Sequence, residues 1–185
     1  MSEFSDSYHL LGSREDAIAL LERTGARGAV LSGEGRFTAF VVHPKDGKRV
    51  EAGNTGVLLY YVYAGDHGCW VQLRQGTKLL DRLEQTWESG TGSVDSAAWV
   101  RAGVCDLGSV TKLKRLVTPP VGYEDETYSV ANALGLTHYR WLSSSDFCLP
   151  DQLEGRADEV VWVPDRPEPE DPGAAMMAAF DDFDD

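Results

Sequence analysis

The side chains of this 185-residue chain that could move protons or attack a carbonyl are few: four histidines, three cysteines and a run of serines. Asp66-His67 is the most catalytic-looking pair, because an acid beside a histidine can set its tautomer and a turn can aim it into a cleft. Yet Gly65-Asp66-His67-Gly68 is also what a tight turn demands, and neighbours on a turn point apart, so the expected role is turn chemistry. Cys148 lies near Asp146 and Ser143-Ser144-Ser145 and would need a distant base such as His67 or His138. No flanking cation or oxyanion-forming glycine activates it, and the serines with Asp146 read more simply as a loop with capping capacity.

The remaining patterns exclude more than they assign. Cys69, Cys105 and Cys148 are widely spaced and form no Cys-x-x-Cys pair, so neither a zinc site nor a disulfide framework is expected, only thiols in a reducing compartment. Gly33-Glu34-Gly35 and Ser89-Gly90-Thr91-Gly92-Ser93 lack the Gly-Lys-Ser/Thr of a phosphate loop. Asp106, Glu124, Asp125 and Glu126 do not have calcium-loop spacing. No metal or other cofactor is therefore expected, and no catalytic residue is assigned.

Aromatic residues and the C-terminus carry the binding signals. Trp70, Trp99, Trp141 and Trp162, with Tyr60, Tyr61 and Tyr63, fall in strand or helix patterns that mostly mean core. Trp70 stands apart, on the polar side of the alternation Cys69-Trp70-Val71-Gln72-Leu73-Arg74, where an uncovered indole marks a contact surface. Met176, Phe180 and Phe183 recur at i, i+4 and i+7, one helical stripe set among Asp181, Asp182, Asp184 and Asp185. Acids at a helix C-terminus oppose its dipole, so this segment is a poor helix alone and a better one against a basic, grooved partner. A solubilising tail is the plain alternative.

Charge placement agrees. Residues 151–185 hold 12 acids against 2 bases, whereas residues 1–150 hold 18 against 15, so the acidity belongs to the C-terminal segment. Clustered cations for phosphate contacts are missing, which argues against direct nucleic-acid binding and for a basic protein partner. The start Met1-Ser2-Glu3-Phe4-Ser5-Asp6 has no signal-peptide character, and the longest apolar run, Val57 to Ala64, is too short to span a bilayer. A cytoplasmic setting is expected.

The elements that must position these residues follow from periodicity. Ser13-Arg14-Glu15-Asp16 is a capping box opening a helix that stops at Gly25. Strands are predicted at Ala29–Leu31, Phe37–Val42, Val57–Tyr63, Cys69–Arg74, Tyr139–Leu142 and Glu159–Val163, with Lys45-Asp46-Gly47-Lys48 as a turn. Leu59 and Tyr61 belong to the strongest of them, apolar on both faces and hence interior to the sheet. Helices are predicted over Thr77–Trp87 from Leu79, Leu80 and Leu83, over Val94–Val104 and Ser109–Val117, and from Glu124 to Gly135. Short turns between strands make the sheet mainly antiparallel. The expected layout is an α+β domain over 1–163, mainly an antiparallel sheet with helices packed on it. A Pro/acid-rich linker over 164–172 and an acidic-hydrophobic tail over 173–185 complete it. The profile is that of a non-enzymatic binding protein, of inhibitor, immunity-protein or adaptor type. A small hydrolase-like enzyme with a cleft near the 64–69 turn, or a structural subunit of a phage or secretion assembly, is the alternative.

Overall fold

The computed structural model describes residues 4–33, 35–86, 94–117 and 128–164, with the side chain of Cys148 left out. The linker and tail expected beyond Pro164 lie outside the described residues. The fold is α+β: seven antiparallel strands with six α-helices packed on the sheet. In chain order the strands are β1 (Phe4–Leu11), β2 (Gly28–Leu31), β3 (Phe37–Val42), β4 (Val57–Ala64), β5 (Gly68–Gln75), β6 (Lys78–Thr86) and β7 (Val160–Val163). The helices are α1 (Arg14–Thr24), α2 (Gly47–Gly53), α3 (Ser96–Arg101), α4 (Leu107–Val117), α5 (Ser129–Leu134) and α6 (Pro150–Glu154). The sheet order is β6-β5-β4-β1-β3-β2-β7, which puts the first strand of the chain in the middle.

Pairing register sorts the side chains onto two faces. On one face Leu59, Tyr61, Tyr63, Cys69, Val71, Leu73 and Leu83 pack under α3, α4 and α5, with Trp99 fully buried at the centre. The same face over β2 and β3 is closed by Leu142, Phe147 and Leu153. On the other face Tyr8, Leu10, Val30, Phe40, Val42 and Leu58 pack against α1 and against Val50 of α2. Leu59 and Tyr61 are fully buried, as the unbroken apolar run of β4 requires.

Helix α1 begins as the capping box requires: Asp16 N–H donates to Ser13 Oγ (3.2 Å) and Ser13 N–H donates to Asp16 Oδ2 (2.9 Å). Gly25 ends it in the left-handed region, φ 62°. Ser13→Ala is expected to cost about 1 kcal/mol, measured by urea denaturation. An unchanged midpoint would show that water replaces the cap.

Three expectations fail. Thr77–Trp87 is not a helix. Gly76, at φ 57°, makes a two-residue turn with Thr77 and sends Lys78–Thr86 back along β5 as β6. The leucines that mimic helical spacing split between the faces: Leu83 is buried, whereas Leu79 is 44% exposed. Tyr139–Leu142 is a turn rather than a strand, since His138 sits at φ 60° and its carbonyl accepts from the amides of Trp141 and Leu142. The segment after His43 is not a simple turn: Pro44–Asp46 forms a 3-10 turn whose first amide is capped by the His43 side chain, and α2 follows. The helices expected near 94–104 and 109–117 are α3 and α4. The last expected helix is α5, ending at Gly135 as anticipated, with its acidic approach, Glu124–Glu126, outside the described residues.

Candidate interaction surface

Antiparallel pairing places Phe4, Asp6, Tyr8, Tyr60, Val62, Trp70, Gln72, Arg74, Arg82 and Glu84 on one face, through the partners Phe4↔Ala64, Asp6↔Val62, Tyr60↔Gln72, Val62↔Trp70, Trp70↔Glu84 and Gln72↔Arg82. This is the face that α1 and α2 cover over β1, β3, β2 and β7. Over β5 and β6 it stays partly open: Trp70, Gln72 and Arg74 are half-buried, and Arg82 and Glu84 are exposed. Phe4, 48% exposed at the start of β1, adds an exposed aromatic ring to the half-buried Trp70 on this face. Large apolar side chains left to water on a sheet face are the ordinary mark of a contact surface.

A buried polar seam runs between the covered and open halves. Asp6 is the hub: its Oδ1 accepts from Ser143 Oγ (2.7 Å) and from the Ser144 amide (2.7 Å), and its Oδ2 from the Tyr60 hydroxyl (3.3 Å). The Asp6 amide donates to the Leu142 carbonyl (3.0 Å), so the 142–144 segment ties itself to β1. Tyr8 stacks on Tyr60 with ring centroids 4.6 Å apart. Glu51 of α2 reaches across to Arg74 of β5 at 2.5 Å. Burial, and then the Glu51 and Asp6 charges, push the Tyr8 phenol far above its usual range; burial and Asp6 do the same to Tyr60. Both phenols therefore stay protonated donors, and the seam anchors the shelf beside Trp70 rather than supplying a nucleophile.

The other candidate groups are placed as follows. Asp66 and His67 are exposed in the β4–β5 turn, where the His67 amide donates to the Ala64 carbonyl (2.9 Å) and its ring has no hydrogen bond or ion pair among the described residues. His138 Nε2 lies 2.6 Å from the Ser32 carbonyl, and Asp146, in the 3-10 turn Ser144–Cys148, is raised in pKa by burial. Among the described contacts none joins His67 to Asp146 or His138. Ser143 caps the Ser144–Cys148 turn, receiving the Ser145 amide at 3.3 Å, which is the capping role its sequence suggested. Burial pushes the Cys69 thiol up to about 12 and the Cys105 thiol up to about 11, the chemistry of inert core thiols. Among the described residues no three His, Cys, Asp or Glu side chains gather as a metal cluster. A shallow cleft between the end of α1 and β7, lined by Ile18, Leu21, Ala26, Val161 and Trp162, is apolar and presents only Glu22 and Arg27 as charges.

No family model, curated protein or solved structure matches the chain. Function must be read from the surface itself. Of the residues singled out in the sequence for partner contact, Trp70 lies on the open shelf, while Met176, Phe180, Asp181, Asp182, Phe183, Asp184 and Asp185 lie outside the described residues. Sequence reading missed Phe4 and the Asp6–Tyr8–Tyr60–Glu51–Arg74 seam because it missed β1. The available signal was partial: Phe4, Tyr8 and Leu10 fall at period two against Ser5, Ser7 and His9, but Asp6 interrupts the apolar series.

Among the described residues no helix is long and apolar enough to cross a membrane.

Proposed function

We propose that the chain is a non-enzymatic binding protein that engages a basic protein, using the Trp70 shelf on its body and the acidic segment at its C-terminus. The observation that carries the reading is the open half of the sheet face, with Phe4 48% exposed and Trp70 only half-buried. The sign of the partner comes from the charge split, 12 acids to 2 bases over residues 151–185. Aspartates at 181, 182, 184 and 185 speed encounter with a cationic surface and lose that effect in salt. The Met176/Phe180/Phe183 stripe slows release once seated in a groove. An inhibitor, immunity protein or adaptor working in the cytoplasm fits this division of labour.

The test is affinity capture from native lysate followed by titration of the captured protein. Removing residues 173–185 is expected to lower affinity by about tenfold or more at low salt and to flatten its salt dependence. Phe180→Ala with Phe183→Ala should raise the off-rate with salt dependence nearly unchanged. Wild-type affinity in the truncated chain at low salt would make the tail a solubilising appendage. Wild-type affinity in Trp70→Ala would remove the shelf from the interface.

A further inference from the structure

The sheet has two edges and they are not alike. Strand β7 is four residues long and is stopped by Pro164, the usual way a sheet blunts an edge. Strand β6, nine residues long, pairs with β5 along one side and with no other strand among the described residues. Its contacts with the helices run through side chains on one face: Asp81 Oδ2 accepts from Trp99 Nε1 (2.6 Å) and from the Asp95 amide (2.9 Å), and Gln85 Nε2 donates to the Leu116 carbonyl (2.7 Å). The outward backbone amides and carbonyls from Asp81 to Gln85 have no backbone partner among the described residues. A bulge at Leu80, left over where Leu73↔Asp81 steps to Arg74↔Leu79, interrupts the first part of the strand, so the regular stretch begins at Asp81.

We propose that two copies of this chain pair antiparallel through β6, about a two-fold axis at Leu83, to make one continuous sheet. The charge pattern selects that register. Arg82 and Glu84 flank Leu83, lie on the open face and are about half exposed, with side-chain exposures of 52% and 48%. Within one chain they stand two residues apart, and Arg82 Nε is 3.9 Å from Glu84 Oε2, a weak contact. A two-fold at Leu83 sets Arg82 directly opposite Glu84 of the second copy, and Glu84 opposite Arg82, the cross-strand arrangement in which opposite charges stabilise an antiparallel pair. The four charges then alternate around the axis with no net charge, while the edge amides and carbonyls gain partners. Isologous pairing of this kind needs each patch to complement itself, which a +/− pair centred on one residue does. The dimer also joins the two Trp70-bearing shelves into a single surface. This proposal stands apart from the basic-partner reading and does not depend on it.

Sedimentation of the full chain at physiological ionic strength tests it. Wild type is expected to shift from monomer to dimer across the micromolar range. Arg82→Glu alone places like charges opposite each other twice, and so does Glu84→Arg alone; each should weaken the dimer by roughly tenfold or more. Mixing Arg82→Glu with Glu84→Arg makes every cross-strand pair opposite again, so the heterodimer should recover to within about threefold of wild type. Recovery on mixing also shows that both variants are folded. The proposal is overturned if wild type stays monomeric throughout, if either variant dimerises like wild type, or if the mixture stays dissociated. A strand of another protein captured by wild type in place of a second copy would likewise overturn it.

Discussion

Lowering the pH from 7 to 4 is expected to remove about 3 kcal/mol of stability through one residue, His9. Its ring is fully buried on the central strand, Nε2 lies 2.9 Å from Ser7 Oγ, and Nδ1 has no hydrogen-bond partner among the described residues. Burial, and then the nearby His138, lower its pKa from 6.5 to about 3. Among the described residues its hydrogen-bond neighbour is Ser7 on its own strand and the charge acting on it is that of His138 on the segment after α5, and neither brings a negative charge. The neutral ring is thus the folded form. The unfolded chain takes up a proton as pH falls below 6.5, while the folded chain resists until about 3. Stability is complete above the upper value and drains away between the two. Urea melts of wild type and of His9→Asn at pH 7 and pH 4 should differ in their pH dependence by that amount. Equal pH dependence in both proteins would show that His9 does not carry the effect. The ring's own NMR titration gives a second readout, since an imidazolium signal near pH 6 in the native protein would contradict the burial argument.

Replacing Gly68 with alanine should cost about 3 kcal/mol or more, whereas Asp66→Ala and His67→Ala should each stay within about 0.5 kcal/mol. Gly68 opens β5 at φ 132°, a backbone region closed to side chains, and an added Cβ would fall 1.9 Å from the Gln85 carbonyl oxygen of β6. That oxygen belongs to a paired strand and cannot step aside without breaking the register Gly68↔Thr86. Asp66 and His67 project into solvent from the same turn. Chemical denaturation of the three variants decides the matter: a mild Gly68→Ala would mean that the β5–β6 pairing shifts to absorb the methyl group.

The contrast within that one turn shows where sequence reading succeeds and where it stops. Val57–Tyr63 was legible because its composition leaves one answer: β-branched, aromatic and apolar on both faces, hence an interior strand. The capping box of α1 was legible for the same reason, since both its bonds are local. Strand β6 was not. Leu79, Leu80 and Leu83 fit a helix by spacing, and only pairing with β5, together with Asp81 receiving Trp99, makes the segment extended. Strand β1 escaped because most of its buried side chains are polar: Ser5, Asp6, Ser7 and His9 are interior because neighbouring strands enclose them, and Asp6 is bonded from Ser143, far along the chain. The candidate surface inherits both failures. Trp70 was visible from alternation alone, but the seam that anchors its shelf joins residues up to 138 positions apart.

A central strand that precedes both of its neighbours in sequence also dictates a timetable for synthesis. Residues 4–11 leave the ribosome before β3 and β4, which flank them and end at Val42 and Ala64. At about 5–20 residues per second, β1 waits for β4 for roughly 3–10 seconds, with Tyr8 and Leu10 uncovered. Serines, a histidine and an aspartate across that stretch keep the waiting segment soluble and slow to pair with its own kind. The polarity that hid β1 from pattern reading is what lets the nascent chain hold its place open.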